Sequence, residues 1–182
     1  MVARPDIFAR KLKVFSFFVN KKQQSLEVFM LSNVFHPSKS ATSFTKKANL
    51  AVYESLNFHD LQDFLDANRG FIAPLEFTII KDDSGEVVWD IDQLEFLTDV
   101  APETVNPSLW RNAQLQAISG LFEVVEGVYQ VRGQSIATTF FIEGKEGVIV
   151  CDTSASTETA KAAMELYYKH RPRKPVSAII IS

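Results

Sequence analysis

The chain has 182 residues and a formal net charge of −3, with 46% hydrophobic and 12% aromatic residues. This composition excludes an intrinsically disordered chain and supports a globular protein with a sizeable core. The weak negative charge gives no indication of nucleic-acid binding, and the single cysteine, Cys151, excludes an intramolecular disulfide.

The charge is unevenly distributed. Residues 1–47 hold nine lysine and arginine residues against two acidic ones, which leaves ten basic and twenty acidic residues for the remainder. This asymmetry predicts a basic tail, residues 1–40, distinct from the folded body. Its apolar run, residues 14–19, is too short for a signal-peptide core or a membrane span. A short packed or unstructured segment is favoured over an interfacial membrane anchor, and the cytoplasm is the favoured compartment.

Residues 41–119 are predicted to form a helical lead-in that contains one β-hairpin. Apolar residues at helical spacing predict two tandem helices within residues 41–70. Asp60 is the expected N-cap of the second helix, and Gly70 is expected just after its end. His59, at the junction, is interpreted as a capping or surface histidine, because no other metal-ligating residue type lies at a usable spacing from it.

The hairpin and a further helix complete the lead-in. The turn at residues 81–85 is rich in aspartate, serine and glycine, and the β-prone residues on both sides of it predict the hairpin. Asn106 followed by Pro107 is a strong helix-start signal. In the helix that follows, Trp110 is expected in the core and Arg111 on the surface, with a place at a substrate mouth as the alternative for both.

Residues 120–182 are the segment on which the functional prediction depends. Glycines separate four β-rich runs, which predicts antiparallel strands joined by tight turns. These runs are residues 121–126, 128–132, 137–143 and 147–152. A helix over residues 156–170 leads to a strand over residues 176–182, whose branched apolar residues predict burial on both faces. Within the second run, alternation predicts that Gln130 and Arg132 face away from the core. The fold class is therefore mixed, α+β with an α/β crossover.

Asp152 is the one residue of this segment with a chemical rationale for a site. It ends the fourth run and precedes residues 153–156, where its carboxylate can bond loop amides at the entrance of the next helix. Cys151 is expected to be an inert core cysteine rather than a nucleophile, and Thr138 and Thr139 are expected to be ordinary strand residues. No catalytic residue and no metal ligand is predicted, because the histidines and the cysteine show no metal-binding spacing.

Several separate blocks of the sequence resemble one known family, in the family's order. The blocks are Asn-Phe-His-Asp-Leu-Gln-Asp-Phe (57–64), Arg-Gly-Phe-Ile-Ala (69–73), Asn-Pro-Ser-Leu-Trp-Arg-Asn-Ala-Gln-Leu (106–115), Gly-Leu-Phe-Glu-Val-Val-Glu-Gly-Val-Tyr-Gln-Val-Arg-Gly (120–133) and Ile-Val-Cys-Asp-Thr (149–153). Together they resemble the amino-terminal part of the alkyl sulfatases of the metallo-β-lactamase superfamily. The resemblance covers roughly residues 41–182 and is more specific than one short motif.

The resemblance implies a fold and an activity. The fold is the first half of a metallo-β-lactamase-like αββα sandwich with a helical N-terminal lead-in, incomplete at the C-terminus. The activity is hydrolysis of primary alkyl sulfate esters at a two-zinc site, whose His-x-His-x-Asp-His ligands would follow the strand at residues 176–182. Family members dimerise through a region with no counterpart here. Asp152 matches an aspartate that lies near, but outside, the metal shell, which implies a structural or supporting part.

This resemblance predicts a truncated family member that is inactive alone. We expect the chain to hold no zinc by itself, because residues 120–182 form a partial domain that ends before the metal-ligand motif. Two alternatives stay open, namely a non-catalytic interaction module that keeps the scaffold, or one half of a split hydrolase. In each case, the apolar strand with an unpaired edge favours aggregation.

Overall fold

The computed structural model describes residues 39–181, so the predicted basic tail lies outside the described residues except for its last two positions. In chain order the elements are α1 (Ser43–Ser55), α2 (Gln62–Asn68), β1 (Phe71–Ala73), β2 (Ile79–Lys81), β3 (Val87–Asp90), a 3-10 turn (Asp92–Leu94), α3 (Pro107–Gln116), β4 (Gly120–Val125), β5 (Val128–Arg132), β6 (Thr139–Glu143), β7 (Val148–Cys151), α4 (Thr157–His170) and β8 (Val176–Ile180). The predicted hairpin, helices and five strands are confirmed, and β1 is an additional strand. No helix among these elements is both long enough and apolar enough to cross a membrane.

Capping side chains fix where α3 and α4 begin. Asn106 accepts a hydrogen bond from the backbone N–H of Ser108 at 2.9 Å, and Pro107 occupies the first turn of α3, as predicted. At α4, Ser156 and Thr159 bond each other's backbone N–H groups reciprocally, at 3.2 Å each. These contacts satisfy amides that have no partner within the helix.

The α2 boundaries differ slightly from the sequence prediction. The N-cap position is Leu61 rather than Asp60, although the Asp60 carboxylate still accepts from the backbone N–H of Gln62 at 2.9 Å. Gly70 follows the helix with a φ of 73°, and a Cβ there would clash with the Glu123 carbonyl oxygen. Glycine is required at this position because α2 turns directly into β1, which pairs with β4.

A mixed six-stranded sheet organises the part of the chain that the structure describes. Its strand order is β1-β4-β5-β6-β7-β8, and β2 and β3 form a separate two-stranded hairpin. Neighbours in the large sheet are antiparallel except β7 and β8, which are parallel and are joined by the α4 crossover. This arrangement confirms the predicted meander followed by a crossover.

One face of the large sheet packs against α4. In β5, β6 and β7 buried residues alternate with half-buried or exposed ones, as expected for strands with one covered face. Tyr167 of α4 stacks on Phe141 with ring centroids 4.2 Å apart and planes within 6°. The core cluster consists of Ala73, Leu121, Tyr129, Val131, Phe141, Val148, Val150, Ala163, Leu166 and Tyr167.

We call the opposite face of the sheet the open face. Two rows of residues cross it from strand to strand. One row is Phe71, Phe122, Gln130, Phe140, Cys151 and Ile180, and the other is Val125, Val128, Ile142, Ile149 and Ala178. Gln130 and Arg132 lie on this face, as predicted. The Arg132 guanidinium lies over the Phe122 ring and donates to the Ala67 carbonyl at 2.7 Å, so α2 covers one end of the face.

The prediction that the last strand is buried on both faces is wrong. Every residue of β8 is exposed, and Ile179 and Ile180 are 42% and 53% exposed. Within residues 39–181, β8 bonds only β7 and lies at the edge of the sheet. An apolar composition shows that a strand is suited to burial. The strand is buried only where a neighbouring strand and a covering layer are present.

The interpretation of Arg111 as a surface residue is also wrong. Its side chain is 18% exposed and pairs with Asp63 through Nε at 2.8 Å and Nη2 at 2.6 Å. It also donates to the carbonyl oxygens of Phe58 and Asp60 and lies 4.9 Å from the Phe64 ring centroid. Arg111 therefore ties α3 to the segment around the start of α2.

Glu143, at the end of β6, ties the sheet to the end of α4. Its carboxylate accepts from Tyr167 Oη and Arg171 Nε, both at 2.8 Å, and from Arg171 Nη2 at 3.0 Å. The Arg171 guanidinium also lies 4.5 Å from the Tyr129 ring centroid. The hydrogen bonds from Arg171, and then that from Tyr167, hold the pKa of Glu143 below its usual value of 4.5 although burial opposes this.

Substitution Glu143→Gln should lower the free energy of unfolding by about 1–3 kcal/mol at pH 7, because Arg171 loses its charged partner. The pKa of Glu143 is depressed in the folded chain, so its contribution is complete above the pKa of the unfolded chain. It is lost as pH falls through the folded value. Urea unfolding at pH 7 and at about pH 3.5 measures the free energy of unfolding of both proteins. The difference in this free energy between wild type and variant should be smaller at the lower pH.

Glu146→Gln is the matched control, since Glu146 is exposed in the turn between β6 and β7. It should change the free energy of unfolding by less than about 0.5 kcal/mol. Equal losses of stability for the two substitutions would contradict a stabilising Glu143–Arg171 ion pair. A stability loss for Glu143→Gln that does not depend on pH would contradict it as well.

Candidate functional site

The candidate site is the loop between β7 and α4, residues 152–156, at the carboxyl end of β7. Sites in open α/β sheets lie outside the carboxyl ends of the strands. Asp152 is the first residue of this loop and is half-buried. Its backbone N–H donates to the carbonyl oxygen of Ile180 at 2.9 Å. The loop is therefore fixed beside the carboxyl end of β8 as well as that of β7.

Two residues of the loop have left-handed backbone conformations. Asp152 has a φ of 55° and Ser154 a φ of 63°. Such conformations cost of order 1 kcal/mol for residues other than glycine and persist where the surroundings hold them. Here Ser154 Oγ lies 3.0 Å from Thr139 Oγ1, and the backbone N–H of Ala155 donates to Ser135 Oγ at 3.1 Å. The β5–β6 connection thus supports the strained loop.

Buried polar side chains support this loop, the start of α4 and the neighbouring connection between β5 and β6. Gln134, Ser135, Thr139 and Thr159 are all at most 6% exposed. Ser135, Thr139 and Thr159 bond the loop or the start of α4, and Gln134 Nε2 donates to the Phe77 carbonyl oxygen at 3.2 Å. Buried hydrogen-bonding groups of this kind specify one arrangement of the backbone.

Sequence reasoning placed Asp152 in this loop and missed the residues that support it. Thr139 was expected to be an ordinary strand residue, but it is 3% exposed and paired with Ser154. The available signal was the density of serine and threonine in residues 135–139 and 153–159. Composition alone does not show that two stretches so far apart along the chain come together. The predicted bonding of the Asp152 carboxylate to loop amides stays a prediction.

The described residues do not fit a zinc centre. Within residues 39–181, no group of three or more histidine, cysteine, aspartate or glutamate side chains is placed to hold a metal ion. Within the loop, residues 152–156, Asp152 supplies the one carboxylate, and the side chains bonded to the loop from outside are the hydroxyls of Thr139 and Ser135, whereas zinc sites use several imidazole, thiolate or carboxylate ligands. His59 and His170 are exposed and lie outside this loop, and Cys151 is half-buried. What the arrangement can do is hold the loop rigidly in place.

Comparison with known proteins identifies relatives. The chain is 50% identical over 145 residues to a linear primary-alkylsulfatase from Pseudomonas sp.. It is 47% identical over 146 residues to an (R)-specific secondary-alkylsulfatase from Pseudomonas sp. and 47% identical over 144 residues to an alkyl/aryl-sulfatase from Saccharomyces cerevisiae. The chain is homologous to the alkylsulfatases over this matched part. No family model matches it.

A solved structure supports the same relationship. The stereoselective inverting sec-alkylsulfatase from Pseudomonas sp. matches with a TM-score of 0.70 and 48% identity, over 79% of this chain and 23% of that one. The alkylsulfatase resemblance and the mixed fold class predicted from the sequence are confirmed. The chain spans about 22% of the length of the curated alkylsulfatases that it matches.

Substitution Thr139→Val should lower the free energy of unfolding by about 1–2 kcal/mol, because it removes the buried hydroxyl that pairs with Ser154. The neighbouring Thr138→Val is the matched control and should cost less than about 0.5 kcal/mol. Urea unfolding followed by circular dichroism measures both. If the two variants are equally stable, the hydroxyl pair does not hold the loop.

Proposed function

We propose that this chain is the amino-terminal scaffold of an alkylsulfatase, an enzyme that hydrolyses alkyl sulfate esters to alcohol and sulfate. The main support is the identity of 47–50% with three alkylsulfatases over about four-fifths of the chain. The relatives named for primary and for secondary substrates match almost equally well. The matched part therefore does not set the choice between these esters, and the primary ester is proposed from the resemblance of the sequence blocks.

Zinc would be held by a part of the enzyme outside the matched segment. Zinc held there would supply polarisation of the ester and activation of water. The described residues contribute a sheet and a fixed loop instead of ligands. The dimerisation of the family is likewise proposed to belong to a region outside the match.

Asp152 is proposed as a positioning residue. The carboxyl ends of β7 and β8 lie side by side because Cys151 pairs with Ile180. Residues that follow β8 would therefore begin next to Asp152 and the strained loop. A carboxylate fixed at this place can orient ligands supplied from outside the match without touching the metal.

A non-catalytic interaction module is the second candidate function. The exposure of Ile142 and Ile180, at 37% and 53%, favours it, because both lie on the open face and exposed apolar residues on one face of a sheet mark interaction surfaces. A module of this kind would bind a partner whether or not the resulting complex hydrolyses sulfate esters.

The 182-residue chain alone should neither bind zinc at two equivalents nor release sulfate from octyl or dodecyl sulfate. The reason is that its described part brings no suitable ligands together. Equilibrium dialysis against zinc with metal analysis, and ion chromatography of sulfate, measure the two properties. Two bound zinc ions per chain together with sulfate release would contradict the scaffold role.

The positioning role of Asp152 can be measured in a chimera. The segment of the Pseudomonas linear primary-alkylsulfatase that matches this chain is replaced by the corresponding residues of this chain. The chimera should release sulfate, and Asp152→Asn should lower zinc affinity or kcat by about 10-fold or more, as expected for a group that orients metal ligands. Asparagine also tolerates a left-handed backbone, so the loop should keep its conformation.

Asp99→Asn is the matched control, because Asp99 also has a positive φ, of 52°, and lies outside the loop. It should leave zinc affinity and kcat unchanged. A folded chimera that never releases sulfate would contradict the scaffold proposal. Equal effects of Asp99→Asn and Asp152→Asn would contradict only the positioning role.

A further inference from the structure

An open groove lies between α4 and the segment that leads from α4 into β8. Residues 173–175 line it on one side, and α4 contributes Lys161, Met164, Glu165 and Tyr168 on the other. Positions three and four residues apart lie on the same side of a helix, so these four side chains form one stripe. The groove has a volume of about 450 Å³, within the roughly 300–1,000 Å³ that is typical of small-ligand sites.

The floor of the groove is apolar. Met164 and Tyr168 are half-buried and pack against the core cluster, and the exposed Pro175 faces them across the groove. Tyr168 Oη donates to the carbonyl oxygen of Lys174 at 2.5 Å, which fixes the ring against the opposite side. An alkyl chain laid on this floor would be removed from water, and so would the apolar atoms beneath it.

Cations outnumber carboxylates along the groove. One carboxylate, Glu165, lines it together with three cations, Lys161, Arg173 and Lys174. Glu165 approaches Lys161 only to 3.9 Å, and both side chains are exposed, so this ion pair is weak. Within residues 39–181, neither Arg173 nor Lys174 forms an ion pair. An anion that binds beside them therefore displaces no carboxylate.

Arg173 is placed to hold an anionic group at the groove. It is exposed, and its guanidinium lies 5.1 Å from the centroid of the Tyr168 ring, a cation–π contact that keeps it beside the apolar floor. A planar guanidinium donates paired hydrogen bonds to oxyanions. Lys174 Nζ donates to the Gly144 carbonyl at 2.7 Å, so a second positive charge is fixed on the same segment.

The groove is separate from the candidate site. The loop at residues 152–156 precedes α4, whereas residues 173–175 follow it. α4 has 14 residues, which at about 1.5 Å per residue place its two ends about 20 Å apart. A molecule whose anionic group is held by Arg173 therefore lies away from the strained loop.

An apolar floor bordered by cations fits one class of ligand, a single alkyl chain that ends in an anionic group. We propose that the groove binds such an anionic amphiphile, with the chain on Met164 and Tyr168 and the anionic group on Arg173. Alkyl sulfates belong to this class, and the preference for a sulfate over a carboxylate group rests on the proposed function. The groove would hold the substrate class without cleaving it.

Titration with decanesulfonate tests the groove, because this ligand carries the charge of an alkyl sulfate but has no ester to hydrolyse. The full 182-residue chain is titrated by calorimetry, below the micelle concentration of the ligand. We expect one bound ligand per chain and a loss of affinity of about 10-fold or more with Arg173→Glu. Each methylene removed from the ligand should weaken binding by about 3-fold. Uncharged decyl maltoside should bind more weakly than decanesulfonate.

Lys47→Glu is the matched control. Lys47 is exposed on α1 and does not line the groove, so the same reversal of charge should leave the affinity unchanged. Two-dimensional amide NMR spectra locate the ligand, and we expect the largest shifts in residues 164–174. Equal affinities of the Arg173→Glu and Lys47→Glu variants would overturn the proposal. Shifts centred on Phe140 and Ile142 of the open face would overturn it too, as would a folded chain that binds no decanesulfonate.

The remaining outcomes separate this inference from the proposed function. Decanoate that binds as tightly as decanesulfonate would support the groove and overturn its preference for sulfate. If decanesulfonate binds as expected but the chimera releases no sulfate, the groove holds and the scaffold function is overturned. If the chimera is active but decanesulfonate does not bind the groove, the scaffold function holds and the groove is overturned as a ligand site.

Discussion

One side chain of α4, Tyr167, contacts the sheet both through its ring and through a hydrogen bond. Its ring stacks on Phe141 in the core, and its hydroxyl donates to Glu143, which also binds Arg171. Burial and the hydrogen bond to Glu143 raise the pKa of Tyr167, so its hydroxyl remains a donor. The same residue therefore fixes the apolar packing of the covered face and the end of the crossover helix. The positions of the β7–α4 loop and of β8 depend on this contact, because α4 connects them.

Much of this architecture could be predicted from local sequence. Glycine-bounded β runs and the capping residue Asn106 depend on nearby backbone, and the structure has the predicted strands and helix at these places. The exposure of β8 could not be predicted, because composition indicates what surroundings a strand suits but not whether those surroundings are present. The partners of Arg111 could not be predicted either, because Asp63 lies 48 residues away along the chain.

The candidate site also has some features that local sequence predicts and others that it does not. The position of Asp152 at the end of a strand follows from the sequence, but its left-handed backbone does not, because aspartate adopts that conformation far less often than glycine. The strain is held by Thr139 and Ser135, whose proximity to the loop arises only in the folded chain. A loop fixed in this way is a rigid support, and the chemical groups of a hydrolase would have to be placed against it from elsewhere.

The parallel pairing of β7 with β8 also affects how firmly β8 is held in the fold. The strands from β4 to β7 join neighbours through short turns, whereas β8 reaches its place only after the crossover through α4. None of its side chains belongs to the core cluster, so β8 can open without breaking that cluster. Its backbone amides should therefore exchange with solvent earlier than those of β5 and β6. A chain segment packed on β8 would slow this opening.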